Sequence, residues 1–317
     1  MTAALRWSSR RAESRIRYRL VVLLFLTTLS ALAGEAVVVL QSDDLPLYEA
    51  PIQRFAEALG EVEVINLQGD RERALRVTSR LAQDPPPLIF ALGAKSAWIA
   101  LSELPEVPLV YAMVFEPERY DIGGDVTGVR MEVPPDLPLA QLRLMLPEVS
   151  RLGLLLSEEA SGPWLEDALR EAERAGYKVK IARVPSHRHV RRGLAQLRGS
   201  VDAIWLLPDR EVLTPTGFQV ILTDTLRARI PLLAWSENLV TAGALMCVAP
   251  DYSAVGLQAA GLAERILAGE SPGDIPPLAP DGFRVVLNRD TQQALQLKLD
   301  PMLMDFVDEV VSTPGIR

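Results

Sequence analysis

Several short stretches carry side chains able to grip a small charged molecule, and none carries a set able to break one. In Gly93-Ala94-Lys95-Ser96 a glycine permits close backbone approach, a hydroxyl stands beside free amides, and a lysine adds charge. At the start of a helix that set suits a carboxylate or phosphate. The plainer reading is a capped helix with a solvated lysine. Asp209, directly after Pro208, suits an ammonium group, or else pairs with the adjacent Arg210. As a ligand contact it is expected to be dispensable for folding, so that Asp209→Ala leaves the ligand-free melting point nearly unchanged. Trp235, Ser236 and Glu237 offer a stacking face, a hydroxyl and an acid, although a tryptophan there is more often packed in a core. Asp251 is expected to cap a helix, with Tyr252 beside it facing a cleft. Ser42, Tyr48, Phe115, Glu116, Ser157 and Glu158 hold equivalent places, each with the alternative of an ordinary turn residue.

Catalytic sets are missing. His187 and His189 are the only histidines, two apart beside Ser186, with no further ligand nearby at metal spacing. They read as solvated turn residues. No G-x-S-x-G elbow, phosphate-binding Walker loop or G-x-G-x-x-G fingerprint occurs. Neither a metal nor a cofactor is expected. Arg188, Arg191, Arg192 and Arg198 make a locally basic helix, read as a solvated face or a docking surface.

The elements that must position the candidates follow from an alternation of strands and helices. Runs such as Ala36–Leu40, Leu88–Leu92 and Leu109–Val114 are apolar on both faces, which suits parallel strands covered by helices on either side. Further strands are expected at 61–67, 126–131, 152–156, 178–184, 202–207, 230–235, 243–249 and 283–288. Asp70, Asp136, Ser186, Thr214 and Asp251 are the expected helix caps. The stretch Pro134-Pro135-Asp136-Leu137-Pro138 breaks the rhythm, and Pro272, Pro276 and Pro277 break it again. The plan is two doubly wound parallel-sheet α/β lobes with a hinge and an interlobe cleft. Lobe 1 is expected to comprise 34–131 plus 251–277, and lobe 2 to comprise 132–250 plus 278–317. Ligands of such sheets sit past the carboxyl ends of the strands, where helix N-termini also point.

The chain opens on a basic head, Arg6 to Arg19, followed by an apolar stretch from Leu20 to Ala33. That is short of the ~20 residues a membrane-spanning helix needs. Ala31-Leu32-Ala33 reads as a cleavage site, so residues 1–33 are expected to be a signal peptide and the protein periplasmic. Without the leader, basic residues fall from 33 to 27 and acidic ones from 41 to 40, a net charge near 13 negative. That balance argues against nucleic-acid binding. The single cysteine, Cys247, lies in an apolar run and reads as a buried thiol.

From about residue 35 to 300 the sequence resembles the ABC-transporter substrate-binding proteins of the periplasmic-binding-protein-like type I fold, in the branch that includes tryptophan and tyrosine receptors. The resemblance is carried by Ile89 to Ala97, by Pro108 to Tyr111 with Phe115-Glu116-Pro117, and by Asp125-Val126-Thr127-Gly128-Val129. In the second half it is carried by Asp202 to Asp209, Ile230 to Ser236, Ala242 to Leu245, Asp251-Tyr252 with Gly256, and Ile266 to Glu270. It implies a monomeric, non-enzymatic receptor that closes on a small organic ligand, an amino acid or small carboxylate, and delivers it to an ABC permease in the membrane. Ser42-Asp43-Asp44, Lys95 and Glu116 depart from the usual residues at cleft positions. Two other classes fit the same lobes: a sensing module for a signalling partner, and an enzyme on a two-lobed scaffold.

Overall fold

The computed structural model describes residues 36–316, so the expected signal peptide lies outside the described residues. Two sheets organise the chain. The first contains β1 (Val37–Gln41), β2 (Val62–Asn66), β3 (Ile89–Leu92), β4 (Leu109–Val114) and β5 (Thr127–Arg130) in the order β2-β1-β3-β4-β5, all parallel. Helices α1 (Glu49–Leu59), α2 (Arg71–Leu81) and α3 (Ala94–Glu103) cover its two faces. The second has the order β12-β11-β10-β9-β8-β6-β7. Its strands are β6 (Arg151–Ser157), β7 (Lys178–Val184), β8 (Ala203–Trp205), β9 (Leu232–Ala234), β10 (Met246–Pro250), β11 (Phe283–Asn288) and β12 (Glu309–Val311). All pairings in it are parallel except β10 with β11.

Helices α4 (Asp136–Met145) and α5 (Pro163–Arg174) pack on one face of the second sheet, and α6 (Val190–Leu197), α7 (Pro215–Ala228) and α8 (Glu237–Thr241) on the other. The strands that read as apolar on both faces are buried on both. Val39, Phe90 and Val110 join one cluster of the first sheet, while Leu40, Ala91 and Tyr111 join the other. The structure therefore has two α/β lobes with parallel sheets, as the alternation implies. After β10 the chain returns to the first lobe: α9 (Tyr252–Leu267) lies against α1 and contributes Val255, Ala259 and Leu262 to that lobe's core. It then comes back along β5, where Leu278 bridges Val129, to enter β11 and the short α10 (Arg289–Ala294).

Local signals for the helix starts hold where a side chain meets a free amide. Asp70, Thr214 and Asp251 accept from the backbone amides of Arg73, Gly217 and Ser253. Two expected caps differ. Asp136 is the first residue of α4 and Pro135 holds the cap position, because the Pro134 carbonyl already closes that turn onto Leu137. Ser186 precedes a short 3-10 turn, His187–His189, and its hydroxyl faces the His189 ring at 3.4 Å instead of an amide. The strand β12 was not foreseen; it is three residues long and takes its place by pairing with β11.

Asp202 anchors the start of the second sheet. Its carboxylate accepts from the Ser150 and Arg151 amides, the Ser150 hydroxyl and the Arg151 guanidinium, joining β6 to β8. These bonds, the Arg151 side chain first, hold its carboxyl well below the ordinary range. A depressed folded pKa means the contribution is complete above the ordinary carboxylate pKa and is lost as pH falls toward the folded value. Asp202→Asn is expected to cost about 2 kcal/mol at neutral pH. In melting curves, its deficit against the parent should narrow below about pH 4.

Candidate functional site

The carboxyl ends of both sheets carry the candidate residues. In the first lobe, Ser42 follows β1 and Gly93 follows β3, with Ser96 in the first turn of α3. The Ser42 hydroxyl accepts from the Ser96 amide at 2.9 Å and donates to the Ser96 hydroxyl at 3.1 Å. Ser96 donates in turn to the Leu92 carbonyl at 2.8 Å. Both hydroxyls are thus committed within the protein, and both residues are buried. Gly93 has φ +90°, and a Cβ there would stand 2.4 Å from the Tyr48 hydroxyl and 2.7 Å from Ser42 Oγ. Burial, then the nearby Asp43, pushes the Tyr48 hydroxyl pKa up. Lys95 is exposed, 3.8 Å from Asp43.

Phe115 and Glu116 follow β4. Glu116 has φ 45°, and its amide donates to the buried Glu132 carboxylate at 2.5 Å. Its own carboxylate pairs with Arg119 at 2.6 Å. Desolvation raises its pKa; Arg119 opposes the rise, while Glu132 and Glu118 reinforce it.

In the second lobe, Ser157 ends β6 and Asp209 follows β8. Asp209 is 8% exposed. One oxygen accepts from the Ser157 amide at 2.6 Å, the other from the Glu211 and Val212 amides at 3.0 and 3.1 Å. Of the two readings of Asp209, an ammonium contact or a pair with Arg210, the pair does not form; the carboxylate turns to backbone amides, which burial would otherwise leave without partners. Arg183 donates to the Ser157, Glu158 and Ala160 carbonyls and fixes the loop after β6. Trp235 is 37% exposed and Ser236 sits at the start of α8 without a capping bond. Glu237 lies 3.6 Å from Arg284, and its Oε1 is buried without a hydrogen bond. Desolvation raises its pKa. Asp251 is occupied as the α9 cap, and burial, then Glu237, raises the Tyr252 pKa.

A cavity of about 400 Å³ lies between the lobes. Phe115, Glu116 and Arg119 line it from the first lobe, and Ser157, Trp164 and Asp209 are among those lining it from the second. Its aromatic wall is shared: Phe115 meets the Trp164 ring edge-on at 5.5 Å. Outside the lining, Trp235 stands 6.1 Å from Phe115, and Trp205 supports Trp164 at 6.4 Å. A second cavity, about 520 Å³, lies on the first lobe along Ser42, Lys95, Trp98 and Tyr120; Arg119 borders both. Gly93 and Ser96 lie beneath these surfaces, and Ser236, Asp251 and Tyr252 line neither. A larger concavity, about 1130 Å³, opens at the amino ends of β6, β8 and β9 and includes none of the candidates.

Trp164 and Arg119 were not singled out from the sequence. Trp164 had a signal: Gly162-Pro163 starts a helix directly after β6, which points the first-turn side chains at the strand ends. Arg119 had none. Among the described residues no cluster of three metal-ligating side chains occurs, and no helix is long and apolar enough to cross a membrane. The arrangement can hold a small molecule with one flat apolar face and polar ends.

The family model described as ABC transporter substrate binding protein matches residues 56–311. A tyrosine-binding protein of Clostridioides difficile is 25% identical over 247 residues, 75% of this chain and 71% of that protein. Among solved structures, the ligand-free, open form of a substrate-binding protein with adhesive properties from Clostridium difficile superposes with a TM-score of 0.76 at 24% identity, covering 88% of this chain and 99% of that one. An ABC domain from Streptococcus pneumoniae in complex with L-Trp gives 0.64 at 21% identity, covering 87% and 100%.

The bonds of Asp209 reverse the expectation that it is dispensable for folding. Asp209→Ala strands the buried Ser157 and Val212 amides, at a cost of roughly 1–3 kcal/mol each where no water enters. Its ligand-free melting temperature should fall clearly below that of the parent in differential scanning fluorimetry. An unchanged value would mean that those amides find other partners.

Proposed function

Because the chain belongs to the ABC transporter substrate-binding protein family, we propose that it is the extracytoplasmic receptor of an importer, closing on a small organic ligand between its lobes and passing it to a membrane permease. The observation that carries this reading is the cavity of about 400 Å³ to which both lobes contribute polar and aromatic side chains. A guest there touches both lobes at once and so favours the closed arrangement by its differential affinity. The leader, residues 1–33, directs export and is removed, and the mature protein acts as a periplasmic monomer without chemistry of its own. Lobe 1 comprises 34–131 plus 251–277, and lobe 2 comprises 132–250 plus 278–317.

The ligand is an amino acid, and an aromatic one first of all. Two relatives named for tyrosine or solved with L-Trp support that class. So does the wall formed by Phe115 and Trp164, against which a planar side chain gains both area and ring–ring contact. Asp209 spends three acceptor positions on backbone amides and keeps one direction for an ammonium group.

Thermal-shift screening of the mature protein against the twenty amino acids and small carboxylates tests this. At 100 times its dissociation constant a ligand adds about 2.7 kcal/mol, so L-tyrosine or L-tryptophan should raise the melting temperature by several degrees. Trp164→Ala should abolish most of that rise. A flat response across the whole panel would remove the reading.

A further inference from the structure

We infer that Arg119 is a positioning residue for lobe closure: with Glu116 it clips the loop before α5 onto the first lobe, holding the lobes together before any ligand arrives. The inference rests on the reading of the protein as a closing receptor. Arg119 pairs with Glu116 through Nε, at 2.6 Å, and donates from Nη2 to the Ser161 carbonyl, also at 2.6 Å. The Glu116 carboxylate lies against Gly162, the residue before α5, at the positive end of that helix's dipole. Gly162 has φ +133°, and a Cβ there would stand 2.7 Å from Glu116 Oε1, so only glycine lets the carboxylate so close.

Three features set this contact apart from ordinary packing. Among the described residues, Arg119 to Ser161 is the side-chain hydrogen bond that joins the lobes away from the segments where the chain crosses. The donor loop is strained: Met113, Glu116 and Asp121 all have positive φ, three non-glycine residues within nine, a state that persists only where partners impose it. The Glu116 carboxylate is buried among Glu118 and Glu132 as well as Arg130, so Arg119 is the partner that makes its charge tolerable. Swinging the lobes apart must break the Ser161 bond and leave Glu116 without the α5 end.

Small-angle scattering of the ligand-free protein tests this without any ligand. Arg119→Ala should give a larger radius of gyration than the parent, and Arg119→Lys, which keeps the charge but not both contacts, an intermediate one. Gly162→Ala, pushing on Glu116 from the other lobe, should open the molecule as well. Glu63→Gln, which alters an exposed pair with Arg80 inside the first lobe, should leave the radius unchanged. A parental radius for Arg119→Ala, or an equal increase for Glu63→Gln, overturns the inference. An opened Arg119→Ala in a protein that no amino acid stabilises would keep the clip and sink the ligand assignment; a ligand response with unchanged scattering would do the reverse.

Discussion

One buried carboxylate holds the meeting point of the two lobes in place. Glu132 lies in the first segment that crosses between them. It accepts from the Glu116 amide, from the Met131 amide at 3.1 Å and from Arg130 Nε at 3.3 Å. A carboxylate so enclosed is tolerated only because each oxygen finds donors, and charge-assisted bonds of this kind are the strong ones. Through the Glu116 amide it fixes a left-handed turn that no glycine eases. That turn sets the direction of Phe115 and the reach of Arg119. The crossing segment, the aromatic wall and the contact with the α5 loop therefore share one electrostatic anchor.

The aromatic residues extend this anchor into the second lobe. The Trp164 indole nitrogen donates to the Val133 carbonyl at 3.4 Å, one residue along from Glu132. Its ring touches Phe115 on one side and Trp205 on the other. A side chain on the first turn of α5 is thus tied to the crossing, to the first lobe and to the core of the second. The crossings are tied to one another as well, since the Asp251 amide donates to the Gly282 carbonyl at 2.8 Å. Each lobe keeps its own two-faced core.

Polar groups at the strand ends divide into those that build the walls and those left free. Ser42, Ser96 and Asp209 satisfy buried amides and carbonyls, so their hydrogen bonds belong to the fold. Lys95 meets Asp43 at 3.8 Å, and Ser236 makes no capping bond. Spacing along the chain cannot separate the two groups. A hydroxyl or carboxylate at a strand end has the same local sequence whether its acceptor is taken by an amide 54 residues away, as for Ser42 and Ser96, or left free.

The sequence by itself determined the alternation of strands and helices, the helix starts at Asp70, Thr214 and Asp251, and the presence of two α/β units. Those follow from contacts within a turn or from runs apolar on both faces, which need burial whatever covers them. It gave no sign of β12, whose three residues become a strand only by pairing with β11. Nor did it reveal that Arg119 would reach Ser161, 42 residues on, or that Asp209 would close on Ser157, 52 residues back. Only the tertiary structure decided these, because a hydrogen bond forms between groups brought within about 3 Å, and which groups come that near depends on how two separately packed sheets are set against each other.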